Sequence, residues 1–177
     1  MSDFILNMKA IQERARKHLD QGAVTAGNKS NRETVLRLLN ESLATELVCV
    51  LRYKRHAQMA EGLNAESAKA EFEEHAGEEA EHADWLATRI TQLEGEPNYN
   101  PEGLAQRSHS QYVEGKNIVE MLKEDLVAER IAIEVYSEIA RYIGEDDPTT
   151  RRLIEKILEK EEEHAEDLSS LLAAHAS

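Results

Sequence analysis

Four glutamates interrupt four apolar stripes in this chain of 177 residues, and a histidine follows two of them at a spacing of three. Glu46 lies in the series Leu39, Leu43, Glu46, Val50, Tyr53, and Glu79 in Phe72, Ala76, Glu79, Ala83, Leu86, Ile90. Glu129 lies in Leu122, Leu126, Glu129, Ile133, Tyr136, and Glu161 in Ile154, Leu158, Glu161, Ala165, Leu168, Leu172. Steps of three and four mark the face that a helix buries against its neighbours. A buried carboxylate there must be paired or bound to metal. His82 follows Glu79 and His164 follows Glu161. Residues three apart share a helix face, so each pair can offer an oxygen and a nitrogen to one point. Four carboxylates with two neutral imidazoles carry four negative charges, which two divalent cations would cancel. Oxygen-rich ligation with one imidazole per ion suits iron or manganese, with zinc a further substitute.

Long helices must position these groups. Hydrophobic residues make up 41% of the chain and charged residues 32%, with only 3 Pro and 8 Gly, a profile that fits an all-α fold rather than a turn-rich sheet. Ser30 with Glu33 reads as a capping box opening a first long helix that runs to about Ala60. Gly62 and Asn64 then make a tight break, and a second helix is expected over about 65–94. Residues 95–111 contain Gly95, Pro97, Pro101 and Gly103 and cannot continue it. A third helix is expected from about Gln111 to Ile143, closed by Gly144, and a fourth, capped by Asp147 with Pro148 in its first turn, to about Ala173. The segment 95–111 can extend roughly 55–60 Å, and a helix of 29 residues is about 44 Å long. The chain therefore reads as a four-helix bundle with one long crossover between the second and third long helices. An additional amphipathic helix is expected over 4–20, followed by a polar connector over 22–30. The division is then an N-terminal segment, 1–30, and the bundle, 31–177.

The halves repeat. Leu43, Glu46 and Tyr53 match Leu126, Glu129 and Tyr136 at an offset of 83, and Glu79, His82, Ala83 match Glu161, His164, Ala165 at an offset of 82. Two such halves packed about a pseudo-twofold axis would bring all six side chains to one centre.

This conjunction resembles the ferritin-like di-iron carboxylate proteins, and among them the bacterioferritin branch, over about residues 32–172. The residues that carry it are the run 39–46 ending in Thr45-Glu46, Glu79-Ala80-Glu81-His82-Ala83-Asp84, Leu93-Glu94-Gly95-Glu96-Pro97-Asn98, Asp125 with Glu129, and Glu161-Glu162-Glu163-His164. The resemblance implies Glu46 and His82 as terminal ligands of one iron, Glu129 and His164 of the other, and Glu79 and Glu161 as bridges. It also implies that Tyr53 sits beside the centre and positions or reduces a bound oxidant. The implied activity is a ferroxidase that oxidises Fe(II) with dioxygen or hydrogen peroxide and stores or sequesters the product in a homo-oligomeric shell. The alternatives are a Dps-like, peroxide-consuming protector and a non-catalytic metal-binding or scaffolding bundle. Ala80 stands where the family's haem-ligating Met would be, so no haem held in that way is expected. The chain ends 13 residues beyond His164, short of the family's small fifth helix, and has an N-terminal helix instead. That departure leaves both a 12-mer and a 24-mer open. Some relatives carry a cysteine pair by the site or a four-cysteine rubredoxin domain, whereas Cys49 is alone here.

The formal charge of −14 disfavours nucleic-acid backbones and attracts cations. Residues 1–37 nevertheless hold seven Lys/Arg against four acids. The longest fully apolar run, Leu47 to Leu51, is too short for a membrane span, and no signal peptide is evident, so a cytoplasmic protein is expected. Cys49 reads as a small core residue, Trp85 as core or interface packing, and Glu162 and Glu163 as a solvated face. His75, one turn before Glu79, reads as a surface or access-path residue, with a third-ligand role as the lesser alternative, and His18, His56, His109 and His175, which show no partner pattern, as mostly solvated.

Overall fold

Asn31, rather than Ser30, starts the first long helix: its side chain accepts from Thr34 N at 3.0 Å, while the Ser30 hydroxyl turns back to Asn28 Oδ1 at 2.7 Å. A computed structural model describes residues 4–62 and 65–175, so the expected break at Asn64 lies outside the described residues. The helices are α1 (Met8–Ala15), α2 (Arg32–Met59), α3 (Ala65–Gln92), α4 (Leu104–Arg107), α5 (Ile118–Ile143) and α6 (Pro148–His175), with no strand among the described residues. α2 packs chiefly on α3, and α5 on α6. These are two antiparallel pairs docked into a four-helix bundle. Gly144 ends α5 at φ +52°, a conformation glycine adopts without steric cost, and Asp147 Oδ1 accepts from Thr150 N at 3.0 Å to open α6.

Two expected elements are shorter than the sequence suggested. α5 begins at Ile118, capped by Asn117, and not at Gln111. The stretch before it is held extended from α2: Arg52 Nη1 donates to Gln111 O at 3.3 Å, Arg55 Nη1 to Glu114 O at 2.7 Å, and a His56 ring nitrogen lies 2.8 Å from Glu114 O. The crossover follows α2 along its length, because Asn40 Nδ2 also donates to Glu96 O and Asn40 Oδ1 accepts from Asn98 N. The N-terminal helix covers only Met8–Ala15 of the expected 4–20, capped by Asn7. His18, at φ +53°, breaks it before a single 3-10 turn at Leu19–Gln21. None of the α1 residues is buried, and Phe4, Ile5, Met8 and Leu19 are at least half exposed. The connector is fastened by Lys29 N donating to Asp146 O at 2.9 Å.

The core has two apolar ends. One contains Val35, Leu39, Leu43, Leu86, Ile90, Ile139, Ile143 and Ile154. The other contains Tyr53, Phe72, Met121, Leu122 and Leu168. Charged and polar side chains fill the layer between them, where all four stripe glutamates lie at 1% exposure or less. No described helix is long and apolar enough to cross a membrane.

Candidate metal centre

Each of the four long helices delivers one glutamate to the middle layer. The three-residue step on α3 and α6 adds His82 and His164 on the same faces. Two ligand groups result. Glu46, Glu79, His82 and Glu161 can each place an oxygen or nitrogen within 4.8 Å of the others, and so can Glu79, Glu129, Glu161 and His164. Glu79 and Glu161 belong to both groups, so the groups are adjacent and share two carboxylates.

His82 Nδ1 lies 3.0 Å from Glu79 Oε2 and 3.4 Å from Glu46 Oε2. Glu161 Oε1 is also 3.1 Å from it, but out of line for a hydrogen bond. His164 Nδ1 is 3.6 Å from Glu79 Oε1 and 4.0 Å from Glu129 Oε2. Its other nitrogen, Nε2, is fixed by Glu78 Oε2 at 2.7 Å, the outer hydrogen bond that orients an imidazole toward a metal. Tyr53 donates its hydroxyl to Glu129 and Tyr136 donates to Glu46. Glu79 Oε1, Glu129 Oε2, Glu161 Oε1 and His164 Nδ1 are buried and have no hydrogen-bond partner among the described residues. Orphaned buried atoms of this kind are costly, and a cation satisfies all of them at once. The donor set therefore fits two divalent ions.

Protons take the cations' place in the metal-free layer. Burial, reinforced by the charge of Glu79, raises Glu46 and Glu161 well above the usual carboxylate range and raises Glu129 in the same direction. Burial opposes ionisation of Glu79 too, but Glu46, His164 and His82 outweigh it and hold Glu79 well below that range. Burial likewise opposes charging the histidines, yet the surrounding glutamates push His82 up to about 10 and His164 to about 9. Loading with metal must then expel protons.

Three expectations for other residues change. His75 is a buried residue, not a surface one, at 1% exposure: its ring stacks on His164 with centroids 4.0 Å apart, and Nδ1 lies 3.2 Å from the Tyr53 hydroxyl. It occupies the turn before Glu79 on the buried face of α3, and that position is the signal in the sequence. His56 is also fully buried, with Nδ1 2.7 Å from Asp125 Oδ2, while Arg52 Nε donates to Asp125 Oδ1 at 2.7 Å. His109 is half-buried and bound to Thr45, its backbone N–H donating to Thr45 Oγ1 at 2.9 Å. His18 is exposed, His175 half-buried, and Glu162 and Glu163 exposed. Cys49 is a 2% exposed core thiol beside Arg52 Nη2, 3.5 Å away, and burial raises its pKa well above the ordinary thiol range. Half-buried Trp85 packs under Lys156, whose Nζ is 3.3 Å from the ring centroid.

A profile of the ferritin-like domain matches residues 36–175. A bacterioferritin of Mycobacterium leprae is 35% identical over 143 residues, covering 78% of this chain and 84% of that protein. A DNA protection during starvation protein of Pyrococcus furiosus is 34% identical over 148 residues, 82% of this chain and 80% of that one. Among solved structures, a dodecameric thioferritin, the bacterioferritin-related protein of Bacteroides fragilis, superposes with a TM-score of 0.81 at 34% identity, covering 84% of this chain and 89% of that one.

Proposed function

The chain belongs to the ferritin-like family, and from that premise we propose that it is a di-iron ferroxidase that oxidises Fe(II) and sequesters the product in a homo-oligomeric shell. The observation that carries this reading is the pair of buried ligand groups sharing Glu79 and Glu161. Glu46 and His82 would complete one iron position, and Glu129 and His164 the other. Two Fe(II) ions so held supply two electrons together, enough to reduce dioxygen to hydrogen peroxide or hydrogen peroxide to water with two protons. His82 and His164, charged in the metal-free layer, give up their protons to make room for the ions. Tyr53, hydrogen-bonded to Glu129, stands beside the second position and fixes that carboxylate. Manganese or zinc would fit the same donors. Ala80 is exposed and offers no axial sulfur, so the reading includes no haem.

A second reading, a peroxide-consuming protector of the Dps kind, is favoured by the similarity to the Pyrococcus starvation protein and to the dodecameric thioferritin. Both readings place the protein in the cytoplasm and its subunits in a shell, of 12 copies on the second and of 12 or 24 on the first. Stopped-flow oxidation of Fe(II) on sized particles, with dioxygen and with hydrogen peroxide, separates them. Comparable turnover with dioxygen and retention of many ferric ions per particle support storage. Oxidation confined to peroxide supports protection. Absence of metal-dependent oxidation with either oxidant leaves a scaffolding bundle.

A further inference from the structure

Beside the central layer, toward the second apolar end, Glu71 and His75 of α3 face Asp167 of α6, and one ligand atom from each can lie within 4.8 Å of the other two. We propose that these three side chains form a third divalent-cation site, separate from the two central positions and open to solvent.

The hydrogen-bond order around His75 argues for it. Tyr53 gives its only proton to Glu129, so its oxygen is left to accept from His75 Nδ1, 3.2 Å away. An imidazole that spends its proton on Nδ1 carries a lone pair on Nε2. That atom lies 3.1 Å from Glu71 Oε1, and Asp167 completes the group. A lone pair set against two carboxylates is repulsive, and a cation between them reverses the sign. The reverse tautomer sets the Nδ1 lone pair against that tyrosine oxygen, whose proton goes to Glu129.

The donor set balances one ion. Two carboxylates and a neutral imidazole neutralise a single divalent cation, and this combination suits Fe(II), Mn(II) or Zn(II). Negative charge is already in excess there: burial raises the pKa of Glu71, and Asp167 and Glu74 raise it further. Exposure separates this site from the central layer. The Glu71 side chain is 26% exposed and Asp167 is half-buried, so an ion can reach the site from solvent. His75 then touches both Tyr53 and His164, so the ion would sit one side chain away from the central positions. A role in supplying those positions rests on the di-iron reading, but the existence of the site does not.

The test counts redox-inert ions on the full-length, metal-stripped protein. Zn(II) and Mn(II) are titrated calorimetrically, and a soaked crystal is read by anomalous scattering. Three ions per subunit are expected, the third with peaks at Glu71, His75 and Asp167. The Glu71→Gln/Asp167→Asn variant should bind one ion fewer and retain the central pair, whereas Glu129→Gln should weaken the central pair and keep the third. No density at the three residues at saturating metal, or a double variant that binds as many ions as the parent, overturns the proposal. A third peak in Glu129→Gln with the central pair also unchanged would leave the proposal standing and remove the central reading instead.

Discussion

Tyr136 on α5 donates its hydroxyl proton to Glu46 on α2, so the phenol of one half of the bundle holds a carboxylate of the other. Tyr53 on α2 does the same to Glu129 on α5. These reciprocal bonds tie α2 to α5 across the polar layer, and on the di-iron reading each competes with a metal for its carboxylate.

Tyr136→Phe should therefore destabilise the metal-free protein more than the metal-loaded one. Leaving Glu46 without its donor costs about 1–3 kcal/mol while the layer lacks metal. A bound ion takes over that role. Differential scanning calorimetry of both forms checks this, with a larger metal-induced rise in Tm expected in the variant. An equal drop in both forms would mean that the hydroxyl only packs.

Stability without metal should decline as the pH rises. Glu46, Glu129 and Glu161 have folded-state pKa values raised above 4.5, and His82 and His164 are raised from 6.5 to about 10 and about 9. The folded state thus binds more protons than the unfolded chain, and the stability they confer is lost as pH climbs from about 4.5 through about 10. Glu79, His75 and His109, whose pKa values are depressed, work the other way below their unfolded values of 4.5 and 6.5, so the decline is expected above about 6.5. Metal binding reverses the slope because it needs the protons gone. At a free metal concentration one hundred times Kd the gain is about 2.7 kcal/mol, or roughly 5–10 °C for a chain of this size. Thermal shifts with Zn(II) between pH 6 and pH 9, on a scale of about one pH unit per step, should grow with pH. A shift independent of pH would contradict proton release.

Arg52→Met should be one of the most damaging single changes outside the metal layer. It removes a guanidinium from a pair in which both side chains are 0% exposed and strands Asp125 with His56 alone. Breaking a buried pair from one side costs about 3–5 kcal/mol. It also releases the crossover at Gln111. Urea unfolding measures the loss. Arg52→Met combined with Asp125→Leu should recover much of it, and a double variant no better than the single one would show that the pair is not the source.

Glu46, Glu79, Glu129 and Glu161 were legible because a stripe with steps of three and four tolerates no unexplained carboxylate. His82 and His164 were legible because they repeat at a fixed offset. The Arg52–Asp125–His56 group was not, although Asp125 lies one turn before Glu129 and His56 three residues after Tyr53 on the buried face. A charge that finds its partner on another helix leaves no local pattern. His75 leaves only a positional signal, one turn before Glu79 on the buried face of α3, because its partners are Tyr53 on α2 and His164 on α6. The late start of α5 was hidden too, since the bonds that hold 111–117 extended come from α2 and override local helix preference.

Deletion of residues 1–30 should shrink or destabilise the assembly while leaving the metal layer able to load. Phe4, Ile5, Met8 and Leu19 are left uncovered by their own subunit and suit a neighbouring copy. Light scattering and the Zn(II) thermal shift together test this. An unchanged particle mass with an unchanged Tm would make the segment dispensable to assembly.

Binding to DNA should be negligible at about 0.15 M salt, because phosphate contacts weaken steeply with ionic strength. Residues 1–37 carry three net positive charges against −14 for the whole chain. A gel-shift assay without Mg(II) decides it. Robust complexes lost on neutralising Lys9, Arg14, Arg16 and Lys17 would show that local charge outweighs the total.

The order of layers along the bundle axis, apolar, polar, apolar, separates two kinds of selective pressure. Val35, Leu39, Ile90 and Ile154 grip at one end, and Phe72, Leu122 and Leu168 at the other. Apolar packing thus fastens the helices on both sides of the middle layer. Substitutions in the polar layer can then alter ligand type, charge or affinity while the scaffold survives, and Leu or Ile could even replace the glutamates at a gain in stability. Loss of the activity would thus not be exposed by misfolding. On the di-iron reading, a need for ion binding is what keeps six polar side chains at 1% exposure or less in the middle of the bundle.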